Sequence, residues 1–155
     1  MPDTVIEGVI VQQLLTHRDE RGFFREIARL SRLDPRIPVA QMSHSLVHTG
    51  VVKAWHGHLV QGQWNYVVNG FIKVALFDTR KDSATCGRTM EILCGDGQEG
   101  RVYYFPHGVL HGYRCVQGPM NILYFTTGEY DPAEEVRVNH DDPSIGYKWH
   151  EQSKY

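Results

Sequence analysis

The sequence predicts an all-β protein, an antiparallel jelly-roll β-barrel with a short C-terminal tail. Short runs of β-branched and aromatic residues alternate with turn-forming residues, which gives about ten strands at the spacing typical of a sandwich or barrel. No segment shows a sustained 3.6-residue periodicity of apolar residues, so we expect no long amphipathic helix. A chain of 155 residues, 41% hydrophobic and 22% charged, fits one domain spanning residues 1–155.

The first third of the chain is expected to form three strands. Runs rich in apolar and β-branched side chains predict strands over residues 5–15, 23–27 and 41–47. The cluster H-R-D-E-R-G at 17–22 is typical of a turn. Two prolines within residues 31–38 predict a loop with room for one helical turn.

The middle of the chain, from Gly50 to Gly70, is predicted to be a central hairpin. Both of its ends are rich in β-branched and aromatic residues, and Gln61-Gly62 between them is expected to be the turn. Residues two apart on a strand point to the same face, so His56 and His58 should project together.

The second half continues the strand pattern and ends in a tail. From residue 131 onward the sequence becomes polar and is interrupted by prolines, so we expect a tail that packs over the body. Apolar and β-branched runs predict strands over residues 71–77, 89–93, 101–105, 109–116 and 121–127.

The composition excludes several classes of partner. A formal charge of −2 and a pI near 6.5 provide no general attraction to nucleic acid or to an anionic membrane. No apolar run has the length of a membrane span, and the N-terminus has no signal-peptide pattern. Cys86, Cys94 and Cys115 show no C-x-x-C spacing, which indicates buried free thiols in a reducing compartment. We therefore expect a cytoplasmic protein.

Histidines inside an apolar β-fold indicate a functional site, and two kinds of chemistry fit them: proton transfer and metal binding. A second stretch, 100–111, could bring His111 to the same place as His56 and His58. An imidazole, with its ordinary pKa near 6.5, suits proton transfer at neutral pH. Three imidazoles and an amide oxygen would instead suit a metal such as Zn, Ni, Mn or Fe(II). The metal set would be His56, His58, Gln63 and His111.

Two spacings resemble the motifs of the cupin superfamily. They are G-x5-H-x-H-x4-Q-x6-G from Gly50 to Gly70 and G-x5-P-x-G-x2-H from Gly100 to His111. Gln63 stands where that pattern usually has glutamate. Cupins host many chemistries, so this resemblance implies a fold more than a function.

A narrower resemblance covers nearly the whole chain, from about residue 6 to residue 149. Seven separated motifs, in order, resemble the dTDP-4-dehydrorhamnose 3,5-epimerase family of deoxysugar biosynthesis. They are D-E-R-G-F-F-R-E (19–26), Q-M-S-H-S (41–45), G-V-V-K-A-W-H (50–56), F-D-T-R-K-D-S-A-T-C-G (77–87), F-P-H-G-V-L-H-G-Y (105–113), Y-F-T-T-G-E-Y-D-P-A-E-E (124–135) and D-D-P-S-I-G-Y-K-W (141–149).

The resemblance implies an isomerase that works without a cofactor or metal, usually as a cytoplasmic homodimer. Its substrate would be a nucleotide-linked, dTDP-type 4-keto-6-deoxyhexose, with proton exchange at C3, C5 or both, in deoxysugar or polysaccharide biosynthesis. His56 matches the family's catalytic base and Tyr124 its proton donor, while Arg21 is supplied to the neighbouring subunit's site. The positions matching or offering substrate contacts are Arg21, Glu26, Gln41, Ser43, Lys53, His58, Gln63, His111, Tyr130 and Glu135.

Three departures from the family pattern accompany this resemblance. Gln63 stands where the family has a lysine near the enolate oxygen, and Lys53 where it has an arginine. The family also places an aspartate partner for the catalytic histidine about a dozen residues beyond the last motif, whereas this sequence ends at Tyr155. A related ketoisomerisation, or a sugar-binding cupin without catalysis, therefore stays open beside the metal-dependent isomerase, lyase or dioxygenase.

Overall fold

The computed structural model describes residues 5–97 and 100–151. Within these ranges the fold has ten strands, one 3-10 turn at Leu30–Arg32, and no helix that could cross a membrane. The strands are β1 (Ile10–Gln13), β2 (Thr16–Asp19), β3 (Gly22–Arg25), β4 (Gln41–Val47), β5 (Val52–His58), β6 (Gln63–Asp78), β7 (Thr89–Gly95), β8 (Arg101–Phe105), β9 (Val109–Thr126) and β10 (Glu135–Arg137).

Strand β9 is the centre of the main sheet. One of its edges pairs with β6, while the other pairs first with β5 and then with β4. Eight strands form this sheet: the path β1-β8-β6-β9-β5-β10, with β4 added on β9 and β7 added on β6. Strands β2 and β3 form a separate hairpin. All pairings are antiparallel, as predicted, but within the described residues they do not close into a ring, so the expected barrel is open.

The predicted central hairpin is wrong. β5 ends at His58 and β6 begins at Gln63, yet the two strands pair with opposite edges of β9 rather than with each other. His111 on β9 consequently lies between His56 on β5 and Leu76 on β6. A pattern of β-branched residues predicts strands but does not say which strands are neighbours.

Two of the predicted strands, 109–116 and 121–127, are one strand. Pro119, which lies between the two predicted segments, cannot donate a backbone hydrogen bond. In the structure the ladder to β6 passes from Gln117 to Asn121, and the ladder to β4 ends at Met120. The missing N–H of Pro119 therefore falls where β9 has no ladder partner among the described strands.

The C-terminal tail pairs with the edge of β5 that lies away from β9. β10 pairs with β5, so the tail adds a strand that the sequence did not predict. Trp149 is 3% exposed and packs on Trp55 of β5, with ring centroids 4.9 Å apart. The buried Nζ of Lys73 donates to the backbone oxygen of Glu151 at 2.7 Å. The strand that carries the histidine pair is thus packed between the body and the tail.

The free cysteines follow the prediction only in part. Cys94 and Cys115 are buried, and burial raises the pKa of the Cys94 thiol to about 12. Cys86 is exposed, so the expectation of a buried thiol is wrong for this residue. It lies in the loop between β6 and β7, where no sheet covers it.

Candidate active site

A cavity of about 290 Å³ is lined by residues of β4, β5, β6 and β9 and by the segment that leads into β10. Ten of the twelve site residues that the sequence predicted line this cavity. These are His56, Tyr124, Gln41, Ser43, Lys53, His58, Gln63, His111, Tyr130 and Glu135.

Strand alternation explains how β4 contributes to this cavity. Gln41, Ser43 and Ser45 are half-buried and line it, whereas Met42 and Leu46 are exposed on the opposite face. The same two-residue period brings His56 and His58 of β5 into the cavity together, as predicted.

Three imidazoles come together in the cavity. The ring centroid of His111 lies 6.0 Å from that of His56 and 5.6 Å from that of His58. Within residues 5–97 and 100–151, no group of three or more His, Cys, Asp or Glu side chains is arranged to hold a metal ion. The predicted metal set therefore gains no support from this geometry.

Burial keeps two of these imidazoles neutral. It lowers the pKa of His111 well below the usual range, and the neighbouring His58 and His56 lower it further. The pKa of His56 is also lowered, first by burial and then by the positive charge of Arg137, with Glu135 acting in the opposite direction. A neutral imidazole can accept a proton, which is what a general base requires.

His58 has a carboxylate partner that the sequence analysis missed. Its Nδ1 lies 2.6 Å from Oε1 of Glu134, and both side chains are nearly buried. Burial opposes the ionisation of Glu134, but hydrogen bonds from the backbone N–H of Val60 and from His58 outweigh it and lower the carboxyl pKa. The acidic pair at 134–135 was visible in the sequence, but nothing there assigned Glu134 to His58.

Tyr124 lies on β9, with its Cα opposite Ser43 of β4 and Asn65 of β6. Its hydroxyl is 3.4 Å from Oγ of Ser45, a long contact that leaves the phenol available to a ligand. Tyr130 lies beyond the end of β9 at Thr126. Tyr130 reaches the cavity from a loop, where its N–H donates to Oε1 of Gln41 at 2.8 Å.

Gln63 is a buried residue of the cavity lining. Its Nε2 donates to Oδ1 of Asn65 at 2.6 Å, which fixes the orientation of the amide. Since the amide nitrogen carries two hydrogens, one remains available for a ligand oxygen. This part of the cavity is therefore lined by a neutral, oriented amide.

Two predicted site residues lie outside the cavity. Arg21 is in the turn between β2 and β3, with a side chain 82% exposed and paired with Asp19. Glu26 pairs with Arg29 at 2.8 Å and lines a second cavity, beside the 3-10 turn. Membership of a sequence motif could not reveal that these two side chains lie outside the cavity that contains the histidines.

Comparison with known proteins gives a match along almost the whole chain. The family model described as dTDP-4-dehydrorhamnose 3,5-epimerase matches residues 3–155. The spore coat polysaccharide biosynthesis protein SpsL of Bacillus subtilis (strain 168) is 38% identical over 148 residues, which cover 94% of this chain and 97% of that protein.

Solved structures agree with this match. A dTDP sugar isomerase from Desulfovibrio desulfuricans G20 superposes with a TM-score of 0.86 at 26% identity, covering 96% of this chain and 95% of that one. ChmJ, a 3'-monoepimerase from Streptomyces bikiniensis in complex with dTDP-quinovose, gives a TM-score of 0.84 at 26% identity, covering 94% and 76%. The predicted cupin-type jelly roll is thereby confirmed.

Proposed function

The chain belongs to the dTDP-4-dehydrorhamnose 3,5-epimerase family, a family of isomerases, and we propose that it epimerises a dTDP-linked 4-keto-6-deoxyhexose without a cofactor. The main support is the convergence of His56, His58 and Tyr124 on one cavity. SpsL is named for spore coat polysaccharide biosynthesis, which supports a role in making a deoxysugar for a polysaccharide. We place the reaction in the cytoplasm and in one domain spanning residues 1–155.

The proposed reaction needs a base at the C–H bonds that flank a ketone. The C4 carbonyl acidifies the hydrogens at C3 and C5, because the carbanion is stabilised as an enolate. His56 takes one of these protons, since its neutral imidazole lines the cavity. In this proposal the second N–H of Gln63 donates to the enolate oxygen, as a neutral substitute for a lysine.

Inversion requires a new proton on the opposite face of the sugar. Tyr124 supplies it in this proposal, because a phenol is a neutral acid at physiological pH. The neighbouring Tyr113 is kept protonated, since burial and the proximity of Tyr124 raise its pKa. Tyr130 closes the cavity from the loop and contacts the substrate with Gln41, Ser43 and Glu135.

The diphosphate needs positive charge at the mouth of the cavity. Lys53 and Arg137 line the cavity, and Arg21 would come from a second subunit, because it lies outside the cavity of its own chain. The outward face of β4 supports a homodimer, since Met42 is 66% and Leu46 is 53% exposed there. Exposed apolar side chains on a strand favour a partner.

Deuterium exchange tests the proposed function directly. Incubation of a dTDP-4-keto-6-deoxyhexose with the protein in D2O should introduce deuterium at C3, C5 or both. The variant His56→Gln should lose exchange of the hydrogen that His56 removes, because its amide cannot accept a proton. Failure of the wild-type protein to exchange either hydrogen in any such sugar would overturn the proposal. Metal analysis of the same preparation, with activity measured before and after chelation, distinguishes a metal-dependent reaction.

A further inference from the structure

We propose that His58, held by Glu134, is a second proton-transfer residue of the cavity, acting beside His56. Glu134 is its positioning residue. This inference rests on the proposed epimerase function and deepens it, because it assigns a role to an imidazole that the resemblance treats only as a substrate contact.

The His58–Glu134 pair is fixed from both sides. Oε1 of Glu134 lies 2.6 Å from Nδ1 of His58, and Oε2 accepts the N–H of Val60 at 3.2 Å. The backbone oxygen of Glu134 also accepts the N–H of Leu59 at 3.0 Å. Because both carboxylate oxygens are engaged, the carboxylate has little freedom to rotate away from the imidazole.

The environment of the pair favours one tautomer. The side chains are only 13% and 8% exposed, so water competes weakly for their hydrogen bond. Glu134 is ionised, since its hydrogen bonds lower the carboxyl pKa against the effect of burial. A carboxylate can only accept, so Nδ1 of His58 carries a hydrogen, which leaves Nε2 as the nitrogen for proton transfer.

His56 and His58 lie in different electrostatic environments. The charges with the largest effect on the pKa of His56 are Arg137, which lowers it, and Glu135, which raises it. His58, in contrast, has a carboxylate in hydrogen-bond contact that would stabilise the imidazolium formed during proton transfer. The ring of His58 also stacks on the neutral His111, with planes 14° apart, which limits rotation of the ring.

The proposed step balances without any further reactant. Nε2 of His58 accepts the proton from a C–H bond next to the ketone, and the electron pair of that bond moves to the C4 oxygen as an enolate. The imidazolium keeps its Nδ1–H bond to Glu134, so the new positive charge faces a negative one. The enolate then collapses to the ketone as carbon takes a proton from the Tyr124 hydroxyl on the opposite face. His58 releases its proton to solvent, and solvent returns one to the Tyr124 phenolate.

Kinetics of two variants, His58→Gln and Glu134→Gln, test this inference. In His58→Gln, which keeps a hydrogen-bonding group but cannot act as a base, we expect kcat and deuterium exchange to fall at least about tenfold, with KM within about threefold. Glu134→Gln should lower kcat by a smaller factor and leave KM similar. Glu129→Gln, the same chemical change at an exposed position of the preceding loop, is the control and should retain wild-type kinetics.

The outcomes separate the two proposals. Exchange by the wild-type protein together with unchanged kcat in His58→Gln, or a rise in KM alone, would overturn the second base and leave the epimerase intact. Loss of exchange in the wild-type protein would overturn both. A second readout does not depend on activity: 15N chemical shifts should place the ring hydrogen of His58 on Nδ1, and Glu134→Gln should mix the tautomers. A hydrogen on Nε2 in the wild-type protein would contradict the inference.

Discussion

The imidazole of His111 stacks on the phenyl ring of Phe105, with ring centroids 4.2 Å apart and planes 25° from parallel. His58 stacks on the same imidazole. A proton on His111 would place a charge in an apolar contact next to two other histidines, which is why its pKa is lowered. The centre of the candidate site therefore depends on a histidine that stays neutral.

This stacking predicts that stability falls in mild acid. Unfolded histidine takes up a proton below about pH 6.5, whereas His111 in the folded chain does not, so the unfolded state binds more protons there. The free energy of unfolding should therefore decrease as the pH falls from about 6.5 to 5.5, by up to about 1.4 kcal/mol per pH unit for each such histidine. His56 contributes in the same direction.

Urea unfolding across this pH range measures the effect. In His111→Gln the unfolding free energy should depend less steeply on pH. The slope should decrease by up to about 1.4 kcal/mol per pH unit, the effect of one proton. His107→Asn, at an exposed histidine in the turn between β8 and β9, is the matched control. An unchanged slope in His111→Gln would show that His111 is not buried in its neutral form.

Tyr124→Phe should separate catalysis from folding. Removal of the proposed proton donor should lower kcat by about 10²- to 10⁴-fold, the usual range for a general acid. The only hydrogen bond described for the phenol is the 3.4 Å contact with Ser45, so the free energy of unfolding should change by less than about 1 kcal/mol. Steady-state kinetics and urea unfolding of the same preparation check both parts, and an unaltered kcat would remove Tyr124 from the reaction.

Inactive variants of Arg21 and His56 should complement each other in a mixed dimer. Arg21→Ala and His56→Gln are each expected to be nearly inactive, because each removes one component of every site. Co-expression should restore about a quarter of the wild-type activity, since half of the dimers are mixed and each of these has one intact site. Differently tagged subunits allow the mixed dimer to be purified and assayed. Absence of recovery in that dimer would mean that Arg21 does not act across an interface.

Gly112 should not tolerate a side chain. A Cβ there would lie 2.5 Å from Cβ of Ala54 and 2.9 Å from both the backbone oxygen of Lys53 and Cη2 of Trp149. None of these atoms belongs to a flexible chain end, so Gly112→Ala should destabilise the fold by about 1–3 kcal/mol. Gly97→Ala meets nothing within 4 Å and is the control for thermal unfolding. Equal melting temperatures for the two variants would contradict this packing.

The sequence indicated much of the site because it lies on regular strands. A period of two was enough to place His56 and His58 on one face, and the described cavity contains both. Arg21 and Glu26 were matched by motif, but motif order contains no information on which chain or cavity a side chain faces. Glu134 was missed because its partnership with His58 spans 76 residues and depends on where the tail returns.

By itself, the sequence determined an antiparallel β-fold, most strand positions, the family and the histidines that share a face, because these follow from local alternation and from ordered motifs. Only the tertiary structure decided that β5 and β6 pair with opposite edges of β9, and that His111 is thereby brought between them. It also decided that Glu134 meets His58. The physical reason is that strand pairing and burial are set by contacts between distant segments, and these contacts determine which polar groups lose water and which partners replace it.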